Sequence, residues 1–144
     1  MGIGTIEKGK LGELYVFSKL IEKGAMPFLP LADIKGIDAV VLRKDGAYVK
    51  IQIKTTWTEY MAGYFNVPDL DKVNPPKDLF IVGLIMGKEL RGTQEPETWI
   101  VPSQEYARNS TKKYLGIGTG ATPKERRLRE KLAAYREAWH LLTR

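Results

Sequence analysis

An acid, an amide and an amine stand close together in the runs Gly36-Ile37-Asp38-Ala39-Val40-Val41 and Tyr48-Val49-Lys50-Ile51-Gln52-Ile53-Lys54. Period-two alternation sends the apolar Val49, Ile51 and Ile53 to one face of a strand and Lys50, Gln52 and Lys54 to the other. Asp38 opens the strand before it, and Lys44-Asp45-Gly46 supplies the reversal, so one hairpin can gather Asp38, Gln52 and Lys54 at a single spot. A hard divalent cation takes oxygen ligands, and here Asp38 offers an anionic one while the Gln52 side-chain oxygen and the Ile53 carbonyl offer neutral ones. Lys54 beside them can orient or deprotonate a water and offset charge on a pentavalent phosphorus. The chemistry this suggests is metal-assisted phosphodiester hydrolysis, with Mg²⁺ as the expected cofactor and Mn²⁺ as its substitute. The plainer alternative is a solvated strand face with Asp38 closing a turn.

The elements that must position these groups begin with a helix. Residues Ile6 to Lys23 have helical periodicity, and projection at about 100° per residue puts Ile6, Val16, Phe17, Leu20 and Ile21 on one stripe. Glu13 falls inside it, with Leu20 about 20° to one side and Phe17 about 40° to the other. A carboxylate on a core-facing helix stripe is costly unless something positive or hydrogen-bonding receives it. A cation and Lys54 would do so; the alternative is a partly exposed Glu13 paired with Lys10. Gly9 and Gly12 allow close approach of a backbone or a ligand to this helix.

The order of a helix carrying Glu13, then Asp38, then Gln52-Ile53-Lys54 resembles the PD-(D/E)XK nuclease superfamily. Lys8-Gly9-Lys10 ahead of Glu13, Lys23-Gly24-Ala25 after the helix and Asp38 leading into an apolar strand are most similar to archaeal-type Holliday junction resolvases. Gln52-Ile53-Lys54-Thr55-Thr56, with Trp99-Ile100-Val101-Pro102 later, also resembles the branch that contains an intron-encoded homing endonuclease. The resemblance spans about residues 8 to 102 and implies an α/β restriction-endonuclease-like core, an N-terminal helix on a central mixed sheet of about five strands. It implies Glu13, Asp38, Gln52 and Lys54 as catalytic residues and Asp38, Gln52, Ile53 and Glu13 as metal ligands. Gln52 departs from the usual Glu or Asp and attracts Mg²⁺ less, a loss Glu13 can offset. Ala32-Asp33-Ile34-Lys35 departs where resolvases tend to place a phosphate-contacting Ser, leaving Lys35 or Asp33 as substitutes. Lys8, Lys10, Lys35 and Thr55 are therefore expected at the DNA.

Composition agrees with an acidic partner. The chain has 144 residues, enough for one domain with a real core, and 23 basic against 17 acidic residues give it a net charge of +6. It has no cysteine, hence no thiolate nucleophile, thiolate metal site or disulfide. The single His140 leaves Ser-His and multi-His zinc mechanisms without parts and is expected at the surface near a helix end. The longest apolar stretch, Leu79 to Met86, has the length of a buried strand rather than a membrane span, and no segment reads as a signal peptide, so a soluble cytoplasmic protein without membrane contact is expected.

The remaining sequence completes the sheet and then changes character. Ala25 to Leu29, Leu79 to Met86 and Thr98 to Val101 read as strands, Lys88 to Glu97 as a polar loop, and Glu105 to Asn109 as a short helix with Ser103 as candidate cap. Trp57, Tyr60, Met61, Tyr64 and Phe65 follow the lysine closely and suit base stacking, a subunit interface or plain packing. The division expected is a nuclease core over 1–115, a flexible Gly-rich linker over 116–121 and a C-terminal helix over 122–144. Gly116-Ile117-Gly118-Thr119-Gly120 lacks the Gly-Lys-Ser/Thr ending of a phosphate loop, which also leaves a nucleotide enzyme without its loop. Thr122-Pro123-Lys124-Glu125 is a helix start, with Thr122 as cap and Glu125 closing a capping box. Leu128, Leu132, Tyr135, Trp139 and Leu142 then form a stripe to about Leu142 that needs a cover, for which a second subunit is one candidate.

Lys112, Lys113, Lys124, Arg126, Arg127 and Arg129 form a basic cluster that can meet phosphates or simply face solvent. Cutting two strands needs two sites, so at least a dimer is expected. The sequence points to a metal-dependent endonuclease acting on branched or double-stranded DNA, first as a junction resolvase and second as a homing or restriction-type enzyme. A non-catalytic DNA-binding protein on the same scaffold is the alternative from another class.

Overall fold

The computed structural model describes residues 4–87 and 95–144. The elements in order are α1 (Thr5–Glu22), β1 (Met26–Phe28), β2 (Ala39–Leu42), β3 (Tyr48–Trp57), β4 (Tyr64–Asn66), β5 (Leu79–Met86), β6 (Glu97–Pro102), α2 (Ser103–Asn109), β7 (Tyr114–Gly116), α3 (Pro123–Lys131), a 3-10 turn (Ala133–Tyr135) and α4 (His140–Thr143). The polar loop expected from Lys88 lies, up to residue 94, outside the described residues.

Five strands form one mixed sheet in the order β1-β2-β3-β5-β6, and β4 pairs with β7 in a small second sheet. β1 to β3 form an antiparallel meander, β5 lies parallel to β3, and β6 returns antiparallel. Every residue of β5 is buried, as a central strand covered on both faces requires. On one face Val49, Ile51, Ile53, Phe80, Val82 and Leu84 pack under Val16 and Leu20 of α1 and under Trp139 and Leu142. On the other Leu79, Ile81, Ile85, Trp99 and Val101 pack against Phe65, Tyr106, Leu115, Ile117 and Leu132. Phe65 reaches the sheet because Gly83 has no side chain where its ring lies.

α1 is rotated from the expected stripe. Val16 and Leu20 are fully buried, but Ile6 is 84 % and Ile21 56 % exposed. The reason is Gly12, whose missing Cβ lets the helix settle against the Thr55 side chain of β3. The buried strip is Gly12, Val16 and Leu20, at i, i+4 and i+8, so Glu13 stands at its border.

The C-terminal region departs most from expectation. Within 116–121 the chain is tied to the core at Ile117, which is fully buried, and the Ile117 and Gly118 amides both donate to the Gly63 carbonyl at 3.0 Å. The helix begins as read, with Thr122 Oγ1 accepting from the Glu125 amide at 3.1 Å, but ends at Lys131. The Glu125 carboxylate turns back to the Gly120 and Ala121 amides. Glu137, at φ 53°, exchanges bonds with Thr98 of the outer strand β6: its amide donates to the Thr98 carbonyl at 2.8 Å and its Oε1 accepts from the Thr98 amide at 2.9 Å. The stripe then splits, Leu132 burying on one sheet face and Trp139 and Leu142 on the other, so the chain must bend around the β6 edge. Those three residues are thus covered by the chain itself rather than awaiting a partner. Ser103 also differs: it is the first residue of α2, and its hydroxyl donates to the Pro76 carbonyl instead of capping the helix. His140 is exposed at the start of α4.

Candidate active site

The site grows from unequal strand lengths. β3 runs for ten residues, whereas its partner β2 has four and begins at Ala39 opposite Ile51. The β3 edge between Ile51 and Trp57, which bridges to Tyr60, is therefore left without a backbone partner on that side. Asp38 completes the ladder from its side chain: its amide donates to the Ile51 carbonyl at 2.8 Å, and its Oδ2 accepts from the Ile53 amide at 2.6 Å. Because a strand residue's N–H and C=O point to the same side, the Ile53 carbonyl faces the same opening. One step beyond the paired register, Asp38 stands opposite Gln52.

Charge accumulates around this carboxylate. Burial raises the Asp38 pKa above its ordinary value and Glu13 pushes it further up, while the Ile53 amide, Lys54 and Lys10 pull it down and lose to the combination. Glu13 keeps a quarter of its side-chain surface exposed and pairs with Lys10 at 2.8 Å, which raises the Lys10 pKa. A hollow of about 370 Å³ holds Glu13, Ile53, Lys54, Thr55 and Lys8 along its walls. The Lys8 ammonium sits 5.2 Å from the centre of the Trp57 ring in that wall, a cation–π contact, and Tyr60 at the rim is 79 % exposed. Lys54 has no ion pair or hydrogen bond among the described residues, so its ammonium is available to a phosphate.

Gln52 lies on the far side of the same junction. It is 7 % exposed, forms no side-chain hydrogen bond among the described residues, and borders a separate hollow of about 160 Å³ with Lys35, Gly36 and Asp69. Its amide opens onto that hollow rather than being sealed in the core, so it is free to meet a group that enters there. The donors present are two carboxylates, an amide oxygen and a carbonyl, a set that fits Mg²⁺ or Mn²⁺. Among the described residues no group of three acidic, His or Cys side chains gathers at one point, so a cation at this edge would rely on the neutral oxygens.

The structure distributes the remaining residues expected at the DNA between open and occupied positions. Thr55 lines the hollow beside Glu13 and Lys54, behind Gly12. Lys35 pairs with Asp69 at 3.3 Å. Lys112 and Lys124 are exposed, as is Arg127. Lys113 donates to the Leu70 carbonyl, Arg126 to the Gly120 and Ala121 carbonyls, and Arg129 to the Ile117 carbonyl while pairing with Glu97 at 2.9 Å. These last three are engaged within the fold. Sequence reasoning did not pair Trp57 with Lys8, although Trp57 shares the alternation of Ile53 and Thr55. Asp69 sits in an irregular segment with no periodic signal to mark it.

The PD-(D/E)XK endonuclease family model matches residues 3–74, half of the chain, including Glu13, Asp38, Gln52 and Lys54. No curated protein matches by sequence. Among solved structures, the fold is similar to that of a bacterial homing endonuclease, I-Ssp6803I, with 23 % identity, 98 % of this chain and 91 % of that one covered, and a TM-score of 0.62. With the family model lying across the helix, the Asp38 junction and the lysine strand, the chain belongs to the PD-(D/E)XK endonuclease family.

Proposed function

We propose that this protein is a metal-dependent DNA endonuclease that hydrolyses phosphodiester bonds at the β2–β3 edge. The observation that carries the reading is the Asp38 carboxylate, held by the Ile53 amide at 2.6 Å next to Glu13 and Lys54 where the sheet opens. Asp38 and Glu13 supply the negative charge, and Gln52 and the Ile53 carbonyl the neutral oxygens, that would hold Mg²⁺ or Mn²⁺. When bound, such a cation polarises a phosphate oxygen and acidifies a water. The Ile53 N–H fixes the orientation of the Asp38 carboxylate. Lys54 orients the attacking water and offsets charge that develops on the phosphate. Lys8 and Lys10, on the helix above, attract the backbone that presents it.

Cutting both strands requires two such sites, which we assign to a dimer. For the substrate we place a four-way DNA junction first. Among the described residues every element packs on the one central sheet and its small companion, and a junction is selected through shape and phosphates, which basic side chains read without base contacts. A specific duplex site is the second reading, favoured by the near full-length similarity to a homing endonuclease fold.

The test is cleavage of a labelled four-way junction and of linear duplexes in Mg²⁺ and Mn²⁺, with Asp38→Asn and Lys54→Ala alongside. Paired cuts near the junction centre, lost in both variants, support the resolvase reading. Cuts confined to one duplex sequence support the second. Salt-sensitive binding without turnover on any DNA overturns the enzyme and leaves a DNA-binding scaffold.

A further inference from the structure

A hollow of about 620 Å³ lies away from the Asp38 edge, between α3, the β4–β7 pair and the end of α2. Its cationic wall is set by helical spacing. Lys124, Arg127 and Lys131 stand at i, i+3 and i+7 and share one face of α3 with Leu128, whereas Arg126 and Arg129 project from the other side and are tied to carbonyls of 117–121. None of the three groove cations has an ion pair or hydrogen bond among the described residues. The acid in the groove lining, Glu125, is only 8 % exposed, turned to the Gly120 and Ala121 amides and to the Tyr64 hydroxyl, while the exposed Glu130 of α3 is outside that lining. Two half-exposed aromatics, Tyr64 and Tyr114, form the opposite wall. The groove therefore presents uncompensated positive charge beside flat apolar surface, which suits a phosphate backbone.

Its position relative to the hollow beside Glu13 and Lys54 gives that surface a direction. Thr56 and Trp57 border that hollow, and Thr56 Oγ1 accepts from the Gly63 amide at 2.9 Å, immediately before Tyr64 in the groove wall. Residues 58–63 thus bridge the two. Lys124 to Lys131 spans about 10 Å of helix at 1.5 Å per residue. That is the reach of about three nucleotides at 3.4 Å each along one strand.

We propose that this groove is a second DNA-backbone track, in which Lys124, Arg127 and Lys131 hold the flank of the substrate while the scissile phosphate lies at Asp38 and Lys54. It rests on the endonuclease reading and names a surface that reading does not require. The test measures binding of labelled linear duplex and four-way junction against salt, in EDTA so the DNA stays intact. It compares the full-length protein, the triple variant Lys124→Gln/Arg127→Gln/Lys131→Gln, and a control neutralising the equally exposed Lys23, Lys44 and Lys77. The groove variant is expected to lose about tenfold or more in affinity at low salt and to flatten the log–log salt slope by about 2 to 3, at about 0.9 per phosphate. On cleaved DNA it raises KM and leaves kcat at saturation unchanged. An unaltered slope with intact binding overturns the groove and leaves the endonuclease reading standing, and so does an equal loss in the control, which would reduce the effect to net charge. No DNA binding by the unaltered protein overturns both.

Discussion

The Asp38 edge and the C-terminal region from 116 to 144 both bring charged side chains against the sheet, and they treat those charges oppositely. At the edge, Asp38 is partly buried with a raised pKa because burial and Glu13 outweigh one amide and two lysines. In the C-terminal region the buried acid Glu125 has its pKa lowered, by the Tyr64 hydroxyl first and the turn amides after it, against the effect of burial. Arg129 there is held by Glu97, by the Ile117 carbonyl and over the Trp99 ring at 5.5 Å. Compensated charge builds the fold; under-compensated charge marks a place prepared for something else.

The sharpest way to break this comparison is to remove charge from each region and read activity and stability separately. Asp38→Asn and Lys54→Ala are each expected to lower cleavage by about 10³-fold without loss of melting temperature, as substitutions in transition-state machinery do. Arg129→Ala should do the reverse. Removing a mostly buried guanidinium leaves the Ile117 and Gly118 carbonyls without their donor and leaves Glu97 to Arg136 and the Trp99 indole N–H, and costs about 2–4 kcal/mol, a fall of about 10 °C in Tm. Per folded molecule, cleavage should stay within about twofold. If Arg129→Ala folded normally yet abolished cleavage, the division between the two regions would collapse.

Gln52 offers a smaller and more pointed test. Gln52→Glu supplies the missing anion and is expected to tighten Mg²⁺ binding by roughly tenfold, about 1.4 kcal/mol, measured as the Mg²⁺ concentration for half-maximal cleavage. Without the cation the same variant should be less stable than the parent, because it places a new carboxylate in a buried position near Asp38. Stabilisation of Gln52→Glu in EDTA would mean that position 52 faces compensating charge.

How much of this was legible in the sequence follows from the range of the forces involved. The juxtaposition of Asp38 with Gln52 and Ile53 could be read because strand alternation is local and the turn at Lys44–Gly46 fixes the hairpin, where Gly46 takes φ 86°. The rotation of α1 was not, since a projection counts apolar side chains and gives no weight to Gly12, whose effect appears only against Thr55. The C-terminal helix was read too long for a related reason. Leu128 to Leu142 keeps a helical period, but the Glu137–Thr98 bonds to a strand some 40 residues earlier outweigh it. The basic cluster was visible as composition, while its division into tied and open faces depends on carbonyls of 117–121 that no local pattern reveals.

The finest test concerns pH at the Asp38 edge. A carboxyl raised in the folded state stays protonated to a higher pH there than in the unfolded chain, so the folded form binds the extra proton between the two values. Its contribution to stability is fully present below the unfolded pKa and is lost as pH rises through the folded one. Asp38→Asn should therefore be slightly more stable than the parent near neutral pH, with the difference vanishing in acid, as read from melting temperature against pH. Cleavage runs the other way, because only the ionised carboxylate holds a cation: its acid limb should lie above that of an ordinary aspartate. Glu13→Gln removes a charge that raises Asp38, so it should move that limb to lower pH at saturating Mg²⁺, whatever it does to the plateau. A plateau that falls with the limb fixed would separate the two acids, leaving Glu13 paired with Lys10 and removing its influence on the charge of Asp38.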